Sequence, residues 1–546
     1  MDIKVNVNNL DMTIPKGTTL FDLSKKFSSD YRYEIILAKV DGIYHELTDT
    51  INKECKIEFY DLMDRGANNV YLNGLIFLTL YSFKKIFNNN IIVRHSLDKG
   101  LYIETPIKIT ELDIKNLNNK MMEVVRESLP ITRTTVGRLD AINYYNSINY
   151  KVKSELLKYN TASYVTLYKL GNLYDYFYSL MPINTNQLSH FALTYLNENG
   201  FVLRFPTIYM ESGIKEFEER KNLYNLHNDS RKWAKSLNLV NSVDLNKKVS
   251  SGHIEELIRV DEIMKNNQLM ELAKNIVSKP NAKIVLLAGP SSTGKTTTTN
   301  KLTLCLKSIG KKPVMLSMDD FFKEREETPK DNEGNYDFEC LEAVDLDLFE
   351  ETINKLIHNE EVKLPTFNFI EGKKEYNTTL KLEEDNLLLI EGIHALNPKV
   401  LAGVSKDNKI TVYLSALNEL NVDDHVRIST TDNRLLRRIV RDNRTRGRSV
   451  EVTLEGWDKV REGEEKYIFP YQDNADYTFN TAMIYELGVL KTYVEPLLYS
   501  VEVDSPYYNE ALRLINFLRV FLPISPESIP DDSILREFIG GGCFKI

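Results

Sequence analysis

Gly289-Pro-Ser-Ser-Thr-Gly-Lys-Thr296 holds the residues best spaced to do chemistry, an octet of the form G-x-x-x-x-G-K-T. Its glycines let consecutive backbone N–H groups turn toward one anion, its lysine reaches the outer oxygens of that anion, and its final hydroxyl is placed to ligate Mg²⁺. The apolar run from Lys283 to Ala288 reads as a buried parallel strand and the stretch from Thr296 to about Ser308 as a helix. That helix would aim its positive end at the same anion. Gly289, Pro290, Ser291, Ser292, Thr293, Gly294, Lys295, Thr296 and Thr297 are therefore expected to wrap a polyphosphate.

Two further apolar runs end in carboxylates. Val314-Met-Leu-Ser-Met318 leads into Asp319-Asp320-Phe321-Phe322, and Asn386-Leu-Leu-Leu-Ile390 leads into Glu391-Gly392-Ile393. Ligands of a doubly wound sheet sit beyond the carboxyl ends of its strands, so these acids are expected to face the phosphate loop. Asp319 is the candidate general base for an attacking hydroxyl, and Glu391 the candidate for holding Mg²⁺, partly through water. Asp320 is expected either to assist Asp319 or to cap a short helix. His394 reads as a loop histidine with its hydrogen bonds satisfied, or else a substrate contact.

Arg434 to Arg448 carries seven arginines and one aspartate. Arg434, Arg438 and Arg441 fall at helical spacing, while Arg444, Arg446 and Arg448 surround Gly447 and read as a mobile loop. Guanidinium groups on a lid would bind phosphate oxygens and exclude water. Arg434 and Arg437 also fit a solvated helix face with local salt bridges.

The rest of the chain must position these residues. At 546 residues it exceeds what one hydrophobic core supports, and its apolar and charged fractions, 42% and 27%, match a folded protein. A net charge of −9 opposes a general nucleic-acid coat, and four cysteines without C-x-x-C spacing argue against a disulfide framework or a zinc site. With neither a signal pattern nor a membrane span, a cytoplasmic location is expected. Residues 1–61 read as a small β-rich unit with a helix between Thr19 and Phe27. Residues 62–216 read as an α+β unit opening with a helix from Leu72 to Phe87, and 217–282 as a helical connecting arm that includes Ile254 to Val277. Residues 283–546 read as the α/β catalytic unit.

The phosphate loop, the Asp-Asp-Phe-Phe corner and the Ile-Glu-Gly-Ile strand end occur here in the order found in the uridine kinase and phosphoribulokinase family, which the segment from Lys283 to Asn480 resembles. The resemblance implies ATP and Mg²⁺ and a small-molecule acceptor such as a nucleoside. It implies catalytic roles for Asp319, Lys295, Glu391 and Arg441, and phosphate contacts from Arg441, Arg446 and Arg448. It also implies substrate contacts from Asp320, Phe322, Phe338, Glu339, Phe367 and Arg441, with Glu339 on ribose hydroxyls and Phe367, within Leu364-Pro-Thr-Phe-Asn-Phe369, lining the nucleoside pocket. Where that family continues with a polar residue that helps read the base, this chain has Glu455-Gly456-Trp457, so the base is not transferred.

Ile14-Pro-Lys-Gly-Thr-Thr-Leu and Leu37-Ala-Lys-Val-Asp-Gly resemble the TGS β-grasp domain of threonyl-tRNA synthetases, and His95-Ser-Leu-Asp-Lys-Gly-Leu-Tyr102 resembles the second additional, editing domain that follows it. That domain's paired histidines correspond to Tyr71 and Leu75, which cannot move a proton near neutral pH. His95 is expected to be structural. The expected activity is ATP-dependent phosphorylation of a sugar hydroxyl. The rivals are a regulatory GTPase, hinted at by Asp331-Asn-Glu-Gly334 but lacking an N-K-x-D guanine reader, and a tRNA-binding protein acting through the front domains. A homo-oligomer is compatible with either.

Overall fold

The computed structural model describes residues 2–208, 213–331, 334–368, 371–383, 385–418 and 420–544. The chain is α/β: a unit with a parallel sheet that carries the phosphate loop follows a β-rich unit and an α+β unit.

In the first unit Asp2–Val7 pairs in parallel with Cys55–Asp61 at the centre of a five-stranded sheet, with Leu10–Pro15 and Ile35–Val40 outside them. The helix Leu20–Ser24 covers one face and is capped by Thr19, whose hydroxyl accepts from the Asp22 amide at 3.0 Å. Asp64 caps the following long helix, Arg65–Phe87, which starts seven residues earlier than the apolar pattern suggested. Tyr71 and Leu75 lie in that helix and are buried. The Tyr71 hydroxyl donates to the His190 carbonyl and accepts from the His190 amide at 3.0 and 2.8 Å, which makes it a packing residue. His95 stands in the strand Ile92–Leu97 and stacks face to face on His227 with ring centres 3.7 Å apart, as a structural reading anticipates.

The catalytic sheet is five strands in the order Lys312–Ser317, Asn386–Glu391, Ile284–Ala288, Lys409–Ser415, Tyr477–Asn480, all parallel. The central strand is buried at every residue, as a strand covered on both faces must be. Ile254–Val277, expected as part of a connecting arm, instead packs on this sheet: Leu269, Leu272, Ala273 and Ile276 share a cluster with Val285, Leu287 and Val412. Helices Glu486–Leu498 and Tyr508–Leu518 pack with the arginine-rich helix Thr430–Arg446 in another cluster, around the fully buried Trp457. No helix among the described residues is long and apolar enough to cross a membrane.

Candidate active site

Strand pairing brings the acidic strand ends together. Glu391 stands opposite Leu287 on one side and Ser317 on the other, so the ends of three neighbouring strands open on one edge. The Ser317 hydroxyl donates to Glu391 at 3.4 Å and accepts from the Asp319 amide at 3.3 Å, capping a short 3-10 turn, Met318–Phe321. Ser317 is thus the cap that the sequence offered to Asp320. The Asp320 carboxylate instead accepts from the Phe367 amide at 3.3 Å and pins the hairpin strand Val362–Asn368 to the turn.

The loop before the helix Lys295–Ser308 needs unusual backbone: Ser292 has φ +61° and Gly294 φ +81°. A side chain at Gly289 would sit 2.5 Å from the Leu414 carbonyl, so only glycine permits this approach of loop to strand. Lys295 folds back onto the loop, donating to the carbonyls of Gly289 and Pro290 at 2.9 and 3.3 Å. The hydroxyls of Ser292, Thr297 and Thr298 are buried without partners. An ammonium held only by carbonyls, spare hydroxyls and a helix N-terminus are the donor set that a polyphosphate requires, and the Glu537 carboxylate already sits on the Thr297 amide at that terminus.

Asp319 and Glu391 both lie within reach of the Lys295 charge, which pulls on each carboxyl. Burial, then the charge of Asp319, push Glu391 up to about 7, against the pull of Lys295. Asp319 remains open to solvent yet is ringed by protein; that crowding raises it, opposed by Lys295 and Arg446. Two carboxyls raised first by burial, at neighbouring strand ends, are a site that a divalent cation would relieve, and Thr296, half-buried at the helix start, brings a hydroxyl to the same edge.

The arginine segment departs from the expectation. The helix runs through Arg446, and only Gly447, with φ +61°, and Arg448 leave it, so Arg444 and Arg446 are helical. Arg434 and Arg437 are 1% and 0% exposed, not solvated. Arg434 pairs with Glu464, Arg437 pairs with Glu486 at 2.5 Å, and both donate to the phosphate-loop carbonyls of Ser291 and Ser292, at 2.8 and 3.4 Å. Arg438 donates to the Ser291 hydroxyl at 2.9 Å. Buried Asp442 gathers Arg438, Arg441 and Arg446 at 3.4, 2.8 and 3.4 Å. Arg446 is a guanidinium whose charge acts on Asp319, and Arg448 is exposed. Three of the seven arginines, Arg434, Arg437 and Arg438, are therefore struts behind the phosphate loop, while Arg444 donates to the carbonyls of Phe538 and Glu537 at 3.1 and 2.9 Å.

Across the cleft, Phe322 packs edge-on against Phe338 and Phe367 with ring centres 5.7 and 5.8 Å apart. Burial pushes Glu339 up to about 7 against the pull of Arg438. His394 is 1% exposed and neither ring nitrogen has a hydrogen-bond partner, so the expectation of a satisfied histidine fails. The Cys340 and Glu339 backbones approach it without bonding geometry, and burial holds it near 4. Phe369, Asn332 and Glu333 lie outside the described residues. Sequence reasoning missed Glu537, whose carboxylate accepts from the Thr297 amide at 3.1 Å, and Glu464 and Glu486, each distant in the chain from the arginine it pairs with.

A phosphate loop on the central strand of a parallel sheet, with acids on the two neighbouring strand ends, defines a P-loop phosphotransferase. The model of the phosphoribulokinase / uridine kinase family matches residues 284–486. A uridine kinase from Staphylococcus haemolyticus is 31% identical over 199 residues, covering 36% of this chain and 86% of that protein. The chain belongs to the phosphoribulokinase / uridine kinase family. Its front half is similar to a threonine–tRNA ligase from Clostridium kluyveri, 24% identical over 256 residues; the match spans 43% of this chain and 39% of the ligase. The structure described as a possible uridine kinase from Bacillus stearothermophilus aligns at 17% identity with a TM-score of 0.29, over 39% of this chain and 98% of that one.

Proposed function

We propose that the chain is an ATP-dependent kinase that moves the γ-phosphoryl group to a sugar hydroxyl of a nucleoside or a closely related small molecule. The observation that supports this reading is the register that brings the phosphate loop with Lys295, the turn with Asp319 and the strand end Glu391 to one sheet edge. The phosphate-loop amides and Lys295 bind the triphosphate. Thr296 and Glu391 are the residues that would hold Mg²⁺, which would supply neutralising charge to the phosphates. Glu339 orients the acceptor by accepting from its hydroxyls, and Phe322, Phe338 and Phe367 wall off the sugar and base. Asp319 takes the proton of the attacking hydroxyl as the new O–P bond forms and the bond to the leaving ADP oxygen breaks. Arg441, Arg446 and Arg448 neutralise the charge on the moving group and exclude water.

Asp319→Asn keeps the side-chain shape and removes the base. Steady-state kinetics against a panel of nucleosides and sugar phosphates should show one accepted acceptor class, with kcat lowered roughly 100-fold or more in the variant and the ATP dissociation constant within about threefold. Equal turnover by the variant would remove Asp319 from the reaction. ATP hydrolysis with no acceptor in the panel phosphorylated would favour a regulatory nucleotidase.

A further inference from the structure

A cleft of about 1110 Å³ opens where the front units meet the C-terminal helices, and none of the phosphate-loop or acidic strand-end residues lines it. That is as large as the roomiest small-molecule sites, which enclose roughly 300–1,000 Å³. Its walls combine the start of the helix Arg65–Phe87, the tyrosine-rich stretch 159–178 and residues 491–523.

Charge on these walls is unevenly matched. Arg65 is paired with Asp458 and Arg133 with Asp49, each at 2.9 Å, and Arg513 is held by Glu510 and Asp432. One corner differs. Lys491 donates to the carbonyls of Leu518 and Phe521, at 3.0 and 2.8 Å, and bonds no carboxylate among the described residues, although the charge of Glu495 acts on it. The exposed Arg519 guanidinium makes no hydrogen bond or ion pair among the described residues, and its charge acts on both Lys491 and Tyr176. Beside these cations Tyr176 and Tyr178 meet edge to face at 4.8 Å, and the Tyr178 hydroxyl is buried with no partner. An unpaired guanidinium, an ammonium that bonds only carbonyls, an idle buried hydroxyl and aromatic walls line one cavity.

We propose that this corner binds a nucleotide-sized aromatic phosphate, with Lys491 and Arg519 on the phosphate and the tyrosine rings against the base. A purely apolar ligand would leave the two cations desolvated, whereas a bare anion would leave the aromatic walls and most of the cavity unused. Stacking on tyrosine rings gives base affinity without a sequence code. The site also has a mechanical link to the phosphate loop. Arg513, on the same wall, grips Asp432 through paired bonds of 2.9 and 2.7 Å, and Asp432 lies in the first turn of the helix whose Arg434, Arg437 and Arg438 hold Ser291 and Ser292. The proposal uses no part of the kinase reading, and each can fail alone.

The test is calorimetric titration of the full-length chain with uridine 5′-monophosphate and, separately, with inorganic phosphate, with hydrogen–deuterium exchange to locate the contact. Arg519→Gln alters an exposed side chain, and Tyr178→Phe removes a hydroxyl that has no bond to lose, so both variants should fold. The expected result is nucleotide binding weakened at least tenfold by Arg519→Gln and about threefold by Tyr178→Phe, unchanged within twofold by Lys295→Ala, with protection at residues 159–180 and 516–523. Wild-type affinity in Arg519→Gln, protection confined to 289–297, or no binding at millimolar nucleotide overturns the site. Phosphate binding as tight as nucleotide binding overturns its aromatic half and leaves an anion corner only.

Discussion

Glu339 sits against Gly463, where an added Cβ would come within 2.7 Å of the Glu339 Cβ, and this burial is what lifts its carboxyl to about 7. A carboxyl raised on folding stabilises the native state while neutral. Its contribution is therefore present below the ordinary carboxylate range and lost as pH rises through about 7. Acceptor binding runs the other way, because only the ionised carboxylate accepts strongly from two hydroxyls. The acceptor KM should accordingly fall as pH rises from 6 to 8, while the melting temperature of the ligand-free protein declines between pH 4.5 and 7. Glu339→Gln should flatten both profiles. A KM profile unchanged in the variant would assign the pH dependence to another group. Glu339 was visible in the sequence only through the family resemblance, since the shift arises from a helix more than a hundred residues further along the chain.

Among the elements, the phosphate loop was readable because strand, loop and helix are contiguous and each local preference agrees. The arginine helix was not, because its charge is matched over distance: Glu464 lies 30 positions from Arg434 and Glu486 lies 49 from Arg437. A sequence window displays the arginines and hides the acids, so a buried strut looks like a solvated face. The distinction has measurable consequences. Glu486→Gln leaves the Arg437 guanidinium buried and uncompensated, which costs roughly 3–5 kcal/mol. It should also loosen the loop carbonyl that Arg437 holds and weaken ATP binding. Arg448→Gln, altering an exposed side chain, should leave the unfolding midpoint in urea unchanged while lowering kcat roughly 100-fold. Denaturant titration and steady-state kinetics on the two variants separate strut from lid, and equal loss of stability in both would erase the division.

Across the whole molecule, the front half and the kinase share buried charge. Lys153 and Asp175 from the second unit meet His425 and Asp423 from the segment between the strand Lys409–Ser415 and the arginine helix, and all four are at most 2% exposed. His425 bonds Asp175 at 2.6 Å, and the Val93 amide donates to the Asp424 carbonyl at 2.8 Å, so backbone and side chains cross the same junction. The helix Ile254–Val277 extends the dependence, since Leu269, Leu272, Ala273 and Ile276 cover the sheet that carries the phosphate loop. We therefore expect calorimetry to give one unfolding transition for the intact chain. A fragment starting at Lys283 exposes that sheet face and should aggregate or remain unfolded, whereas one starting at Ser242 keeps it covered. Lys153→Met strands two buried carboxylates and should cost roughly 3–5 kcal/mol. It should also detach the front half as an earlier transition, because the segment leading into the arginine helix then loses its buried ammonium and keeps only the His425–Asp175 bond and its contacts with Val93. Two transitions in the wild-type protein, with a stable and active fragment from Lys283, would make the front half a passenger on an independent kinase.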